Sequence, residues 1–217
     1  MRIFYAALVV VYIAWFNWYG GADKPVSSTE LESYIVALTS NAQLQGKDPT
    51  KAVQYMRKLA ENDDGNEFVM VNLIRFRDKA VYPPTSAWSA ETDPMAADAR
   101  YGEGVIPLLL KRGSLPIFVA SVEGSFINET SHDDWDTVAM VRYRSARDML
   151  DMMVEMSTTN LADHKWAAIE QTHVFPVKPA MSLLSLRLML AMGLFFFALG
   201  VCYLVNLFDR MRTEKSN

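Results

Sequence analysis

The residues of this sequence that are best suited to chemistry are three histidines, His132, His164 and His173, and one cysteine, Cys202. None of the histidines stands at a metal-ligand spacing from another histidine or from the cysteine, so a structural zinc site is not expected. A single cysteine also excludes an internal disulfide and a cysteine-based iron–sulfur cluster. His132 precedes two aspartates that could hold a cation, although an acidic turn is usually only solvated. We therefore expect no metal site.

Four polar residues form the best candidate for a binding site: Asn72, Arg75, Arg142 and His164. On a sheet face they could line a pocket and orient an anionic or carbonyl-bearing ligand, with His164 as acid or base. The alternative is structural, with each arginine held by a local carboxylate such as Asp136 or Glu170. Strand alternation places Asn72 and Arg75 on opposite faces, which favours the structural alternative.

The elements that must position these residues belong to a chain of 217 residues, 51% hydrophobic and 21% charged. This composition excludes disordered classes of protein, and a net charge of −4 disfavours a nucleic-acid partner. The sequence contains no glycine-rich phosphate loop and no Gly-x-Ser-x-Gly nucleophile motif. The thirteen methionines predict packing in helical stripes rather than metal binding.

An α+β order of elements is predicted between residues 28 and 177. Two helices come first, from Ser28 to about Thr39 and after Asp48-Pro49. The later elements are a buried strand over 68–76, a loop over 79–97, a helix over 99–112, strands over 115–122 and 137–144, a helix capped by Ser145, a helix over 161–171 and a strand over 172–177. This strand–helix–strand–strand–helix–strand order is the ferredoxin-like pattern.

Both ends of the chain are apolar. Between Ile3 and Tyr19 the single strongly polar residue is Asn17, and 17 helical residues extend about 26 Å, just enough to cross a hydrocarbon core. A cleaved signal peptide is the alternative, because Arg2 and the small residues at 20–22 resemble its two ends, but bulky aromatic residues crowd the cleavage region. The run from Leu188 to Leu207 predicts a second transmembrane helix by length and composition.

Charge predicts how these spans are oriented. Residues 23–180 carry 23 acidic and 16 basic side chains, whereas the outer tips of the spans carry Arg2, Arg210, Arg212 and Lys215. The positive-inside rule then places both termini in the cytoplasm and the main domain on the periplasmic side of the inner membrane. The predicted divisions are a transmembrane helix at 1–22, a linker with two packing helices at 23–65, the main domain at 66–178, a transmembrane helix at 183–208 and a cytoplasmic tail at 209–217.

Small residues recur at intervals of seven in the two spans. They are Ala7, Ala14, Ala191, Gly193, Ala198 and Gly200. Such residues let helices approach closely in lipid, so they are candidates for packing between spans. Alternatively, they reflect only how common alanine and glycine are in transmembrane helices.

Five blocks of the middle region, taken in order, resemble a known family. They are FVMVNLIRFRD from Phe68, DARYGEGVIPLLLKRG from Asp98, IFVASVEG from Ile117, DWDTVAMVRYRSARDMLDMM from Asp134 and HKWAAIEQT from His164. They are similar to the uncharacterised dimeric α/β-barrel proteins catalogued as domain of unknown function thirteen-thirty, over about residues 66–177. The resemblance implies a ferredoxin-like fold whose sheet pairs with a second sheet, usually in a homodimer.

The resemblance supplies no activity, because the family's own function is undefined. All four candidate site residues lie in the quoted blocks. The wider superfamily includes small monooxygenases, isomerases and haem enzymes, which is an analogy of fold alone. A haem on His164 or His173 has no support beyond that fold, and we expect no cofactor. Family members are generally soluble, whereas this chain has two predicted spans and added helices.

The leading hypothesis is a non-catalytic accessory or scaffolding subunit of a membrane protein complex. It rests on two anchors that flank a domain without a convincing catalytic set. The expected partners are membrane lipid, other membrane protein subunits and, through the sheet, a second copy of the chain. The alternative is a membrane-tethered enzyme or binding protein for a small molecule, hydrophobic ones included, with His164 as the catalytic residue. A signalling sensor is a third option, but a tail of about ten residues leaves no output domain.

Overall fold

The computed structural model describes residues 2–20, 24–127, 129, 134–180 and 185–214. It divides into two compact units, Met1–Tyr19 with Ala180–Asn217, and Gly20–Pro179. The acidic turn at His132, for which the sequence predicts no metal site, lies outside the described residues. Within those residues the elements are α1 (Arg2–Trp18), α2 (Ser28–Leu44), α3 (Thr50–Glu61), β1 (Phe68–Phe76), α4 (Pro94–Lys111), β2 (Leu115–Ser121), β3 (Thr137–Tyr143), α5 (Ala146–Met156), α6 (Leu161–Ala168), β4 (Ile169–Val177) and α7 (Leu186–Glu214).

The second unit has a mixed α+β fold built on a four-stranded antiparallel sheet. Its strand order is β2-β3-β1-β4, so β1 is central and pairs with both β3 and β4. The register places Val71 of β1 opposite Met140 of β3 and Phe175 of β4. Because opposed residues of an antiparallel pair share a face, the register assigns the paired strand residues to one face of the sheet or the other. Register shifts leave Ile117 of β2 and Glu170 of β4 without a partner.

One face of the sheet packs against helices. Phe68 and Met70 lie in a hydrophobic cluster with side chains of α4 and α5. Ile74 and Phe76 pack against a second cluster that includes Ala167 and Ala168 of α6. The even-numbered residues of β1 therefore face the helices, and the odd-numbered residues face the other way. We call that other surface the second face; it carries Val69, Val71, Leu73, Phe118, Val138, Met140 and Phe175, together with the polar residues Arg75, Arg142 and His173.

The predicted β1 and the predicted cap of α5 are confirmed. Strand β1 has the expected bounds, and the Ser145 hydroxyl accepts a hydrogen bond from the Asp148 N–H. The added helices α2 and α3 bury Leu38 and Met56 against Leu150 of α5. These contacts make them packing elements of the second unit.

Three predicted boundaries were wrong. Helix α2, predicted to end near Thr39, continues to Leu44. Helix α4 begins at Pro94 rather than at residue 99, because Asp93 caps it by accepting a hydrogen bond from the Met95 N–H at 2.8 Å and Pro94 suits the first turn. The helix predicted over 161–171 ends at Ala168, because Ile169 is extended and pairs with Phe76. Pairing with the central strand there overrides the helical pattern.

The first unit consists of α1 and α7, which contact each other. Among the described residues one helix is long and apolar enough to cross a membrane, and its span, Leu186–Phe208, has a mean hydropathy of 2.4. Helix α1 is apolar but has 17 residues, so the second predicted span is not supported by length. Helix α7 continues to Glu214, so part of the predicted tail is helical.

A tight backbone contact fixes the start of the second unit. Arg147 of α5 donates hydrogen bonds to the carbonyl oxygens of Lys24 and Pro25, and the Asp63 carboxylate accepts one from the Val26 N–H at 2.7 Å. Gly65 lies against this segment with φ of +79°, and a Cβ there would stand 2.2 Å from the Lys24 nitrogen. Because the contact is with backbone held on several sides, it cannot move aside easily.

We expect Gly65→Ala to lower the free energy of unfolding by about 3 kcal/mol or more, because it adds a backbone overlap to the cost of the left-handed conformation. Gly46→Ala is the matched control, since Gly46 also has a positive φ but a Cβ there would meet nothing within 4 Å. That control should lose only about 1 kcal/mol. Urea unfolding of the full chain in a mild detergent measures both losses, and equal losses would contradict the contact.

Candidate functional site

The four residues predicted as a site do not come together. Asn72 faces the helices, and its side-chain amide donates to the carbonyl oxygens of Met70 and Ala139, at 3.2 and 3.3 Å. It therefore ties β1 to β3. Arg75 lies on the opposite face, as strand alternation predicts, and its guanidinium pairs with Glu170 at 3.1 Å.

Arg142 lies at the far end of the same face as Arg75. Its partner across the sheet is Val69, so six residues of β1, roughly 20 Å, separate the two arginines along the strand. The Arg142 side chain is only 3% exposed and pairs with Glu67 at 2.8 Å. Both arginines thus meet a local carboxylate, which is the structural alternative raised by the sequence.

His164 belongs to a cluster that the sequence did not predict. Its Nδ1 atom lies 2.7 Å from the Tyr82 hydroxyl, and its ring meets the Trp88 ring edge-on at 5.7 Å between centroids. The Arg100 guanidinium stacks 4.1 Å above the Trp88 ring and pairs with Glu91 at 2.8 Å. We call these five residues the His164 cluster.

Two helices and one loop position the His164 cluster. His164 is on α6 and Arg100 is on α4, whereas Tyr82, Trp88 and Glu91 come from the loop between β1 and α4. Backbone hydrogen bonds hold that loop at both ends, from Ala80 to Thr92 and from Val81 to Ala167. No spacing in the sequence indicates this grouping, and its one signal was the aromatic content of the loop.

The electrostatics of the cluster keep His164 neutral. Burial lowers the pKa of the imidazole, and the positive charge of Arg100 lowers it further, while Asp163 acts weakly in the opposite direction. A neutral imidazole can either donate to or accept from the Tyr82 hydroxyl. The His164–Tyr82 pair can therefore hold or exchange a proton. This gives the pair an acid–base capability but identifies no substrate.

A groove of about 560 Å³ opens where β1 and β2 end and β3 and β4 begin. Its lining residues are Arg75, Phe76, Arg77, Asp78, Met95, Ser121, Asp136, Thr137 and Glu170. Glu170 forms a salt bridge with Arg75, and the Asp136 carboxylate accepts a hydrogen bond from the Phe76 N–H at 2.7 Å. The groove is polar and can hold a small charged molecule. The described part of the chain contains no group of three or more His, Cys, Asp or Glu residues that could hold a metal ion.

The six small residues of the spans divide into two groups. Ala191 and Ala198 are half-buried, on the side of α7 where Phe4 meets Phe197 and Tyr5 meets Cys202. Ala7, Ala14, Gly193 and Gly200 are exposed, and a Cβ on either glycine would meet nothing within 4 Å. The contact between α1 and α7 therefore relies on larger side chains. Arg187 completes it by donating two hydrogen bonds to the Tyr19 carbonyl oxygen.

Comparisons with known proteins give a fold and no activity. No protein-family model and no curated protein matches the chain. The crystal structure of RPA0582, a protein of unknown function from Rhodopseudomonas palustris, is 27% identical with a TM-score of 0.53, covering 62% of this chain and 97% of that one. The structure of methylated RPA0582 is 26% identical with a TM-score of 0.54, covering 63% and 96%. This chain is thus similar in fold to RPA0582 and extends well beyond the part they share.

We expect the unfolding free energy to fall as the pH drops from 7 towards 5. His164 has a lower pKa in the folded chain than in the unfolded chain, so the unfolded chain binds the proton first and acid favours it. His164→Gln should flatten this part of the pH profile. His173→Gln removes an exposed histidine of β4 and is the control. Urea unfolding at a series of pH values measures the unfolding free energy of each variant. A pH profile unchanged by His164→Gln would contradict the lowered pKa of His164 in the folded chain.

We expect Arg142→Met to lower the unfolding free energy by about 3 kcal/mol or more, because it leaves Glu67 without its buried cation. Arg57→Met is the matched control, since the Arg57–Glu32 pair is about half exposed and such pairs contribute about 0.5 kcal/mol. Denaturant unfolding measures both variants. Equal small losses would show that Arg142 is not primarily structural.

Proposed function

We propose that this protein is a membrane-anchored accessory or scaffolding subunit of a membrane protein complex. Its second unit makes protein–protein contacts, and its apolar helices pack against lipid and other membrane subunits. The single observation that supports this most is the second face of the sheet. It is largely apolar, although a solvated sheet face normally carries polar residues.

The second face lies outside the three hydrophobic clusters, although Val69 and Val71 at its centre are buried. None of the three hydrophobic clusters of the described residues includes Val71, Leu73, Met140 or Phe175. Phe118 of β2 is 46% exposed. Leu73, Met140 and Phe175 are half-buried, and with Phe118 they form an apolar patch that favours burial against a partner.

The exposed surface of α7 supports a membrane setting. Phe195, Phe196 and Phe197 are each more than half exposed, and their successive directions around the helix mean that they cannot all face one partner. Lipid on one side of α7 and another protein on a different side would together cover all three phenylalanines. Trp15 and Trp18 lie at the C-terminal end of α1. Aromatic residues at a helix end suit the interfacial region of a bilayer.

We further propose that residues 66–178 form a ferredoxin-like domain related to the family catalogued as domain of unknown function thirteen-thirty. The order β1, α4, β2, β3, α5, α6, β4 and the arrangement β2-β3-β1-β4 support this. In that family a second sheet covers the corresponding face, so a homodimer is one arrangement consistent with the proposal. A different partner on the same face is the other.

We place the protein in the inner membrane with two spans, both termini in the cytoplasm and the second unit in the periplasm. The length of α7 supports one span, and the basic residues near both chain ends support the orientation. Helix α1 would need the flanking aromatic residues to complete its crossing.

A second candidate function is the binding of a small molecule. The polar groove of about 560 Å³ at the strand ends favours it, because a cavity of that size suits a small ligand. Purification of the full chain in mild detergent distinguishes the two functions. A scaffolding subunit should co-purify with another protein, whereas a binding protein should co-purify with a small molecule.

We expect the chain, extracted in mild detergent at its native expression level, to appear in native mass spectrometry with at least one other protein. Phe118→Lys should reduce that partner at least tenfold, because it places a charge on the second face. Val119→Lys is the matched control: Val119 is the next residue of β2, 66% exposed, and pairs with Ala139 on the opposite face.

A lone monomer, or a homodimer of the wild-type chain without any other protein, would contradict the accessory role; a homodimer that retains another protein is consistent with it. A monomer that retains a bound small molecule would favour the second candidate function instead. Equal loss of the partner in both variants would show that the second face is not the contact.

A further inference from the structure

The polar groove at the strand ends has a cation in its lining that forms no ion pair with any described residue. This cation is Arg77, which directly follows β1. Its Nε atom is buried without a hydrogen-bond partner, and its two terminal nitrogens, which also form no hydrogen bond among the described residues, are not buried. Arg75, two residues earlier, is instead paired with Glu170 at 3.1 Å. The terminal nitrogens of Arg77 are therefore available to a ligand.

Two carboxylates of the same lining also lack a cation. Asp136 forms no ion pair among the described residues, and its carboxylate accepts one hydrogen bond, from the Phe76 N–H at 2.7 Å. Asp78 is exposed and has no ion-pair partner in that part of the chain either. The unpaired charges of the groove are thus one cation and two anions. This balance disfavours a polyanion such as a nucleotide, because the two carboxylates would repel it.

Backbone hydrogen bonds fix the positions of Arg77 and Asp136. The Asp136 N–H donates to the Ile74 carbonyl oxygen at 2.8 Å, and the Arg77 N–H donates to the Ala168 carbonyl oxygen at 2.9 Å. Phe76, whose N–H binds the Asp136 carboxylate, directly precedes Arg77 in the chain. The backbone that carries both charges is therefore held in place before a ligand arrives, which lowers the entropic cost of binding.

We propose that this groove binds a free α-amino acid with an apolar side chain. The α-carboxylate binds the terminal nitrogens of Arg77, because a guanidinium group can donate two parallel hydrogen bonds to a carboxylate. The α-ammonium group binds the Asp136 carboxylate, which has one oxygen without a hydrogen bond among the described residues. Phe76 and Met95 also line the groove, and their apolar character favours an apolar side chain on the ligand.

This inference rests on the second candidate function, the binding of a small molecule in the groove, and is independent of the accessory role. A groove of about 560 Å³ has room for an amino acid. The inference adds the chemical class of the ligand, which follows from two opposite unpaired charges in one lining. A ligand with a single charge would leave either Arg77 or Asp136 without a partner.

The test is equilibrium dialysis of the full chain in mild detergent with radiolabelled L-leucine. Three unlabelled competitors separate the contributions of the two charges. Isocaproate lacks the ammonium group of leucine, isopentylamine lacks its carboxylate, and inorganic phosphate is an anion without an apolar part. We expect each of them to compete about tenfold less well than unlabelled L-leucine, or weaker still, because each loses a charge-assisted hydrogen bond.

Three variants assign the contacts. Arg77→Gln should weaken the binding of L-leucine about tenfold or more and leave that of isopentylamine unchanged. Asp136→Asn keeps an oxygen that can accept from the Phe76 N–H; it should weaken L-leucine about threefold or more without weakening isocaproate. Arg57→Gln is the control, since Arg57 belongs to an exposed ion pair outside the groove, and should bind L-leucine as the wild type does.

Binding of isocaproate or phosphate as tight as that of L-leucine would overturn the proposal. So would equal affinities of Arg77→Gln and the wild type for L-leucine, with circular dichroism showing an unaltered fold. A different small molecule that stays bound through purification and is not displaced by L-leucine would overturn the proposal but support the second candidate function. A chain that retains no small molecule and does not bind L-leucine would overturn both.

Discussion

Burial of strand β1 is the constraint on which the rest of the structure depends. Seven of its nine residues are apolar, and the strand lies between β3 and β4, so both of its faces need cover. Helices α4, α5 and α6 cover the face that carries Phe68 and Met70. The other face is apolar as well, and this is why a partner for the second face is central to the proposed role. A fold that left this surface to water would forgo hydrophobic stabilisation of roughly 25 cal/mol per Å².

The polar residues of the sheet contribute to its geometry. Asn72 links β1 to β3 through the Ala139 carbonyl oxygen, Arg142 is buried against Glu67, and Arg75 is held by Glu170. Such groups cannot be buried without partners, so their pairing helps to define the strand register. Two groups whose pKa is lowered by burial lie on α6 instead: His164 beside Tyr82 and Lys165 beside Tyr101.

Much of the local structure could be predicted from the sequence. The apolar run of β1 and the cap at Ser145 were assigned correctly, because both depend on short-range patterns. The start of α4 was missed because Asp93-Pro94 was interpreted as part of a loop although it is also a helix-capping pair. The end of α6 was missed because residues 169–171 pair with β1, a contact far away in sequence. The His164 cluster could not be predicted, since its five members come from three separate elements.

The sequence by itself determined the apolar terminal segments, the α+β order of elements and the buried, largely apolar strand β1. These follow from composition and periodicity, which are properties of neighbouring residues. Only the tertiary structure decided that Arg75 and Arg142 are held by carboxylates, that His164 meets Tyr82, and that Lys165 lacks a close counter-ion. The physical reason is that charge and proton affinity depend on distance and burial in three dimensions, and these are set when helices and strands pack together.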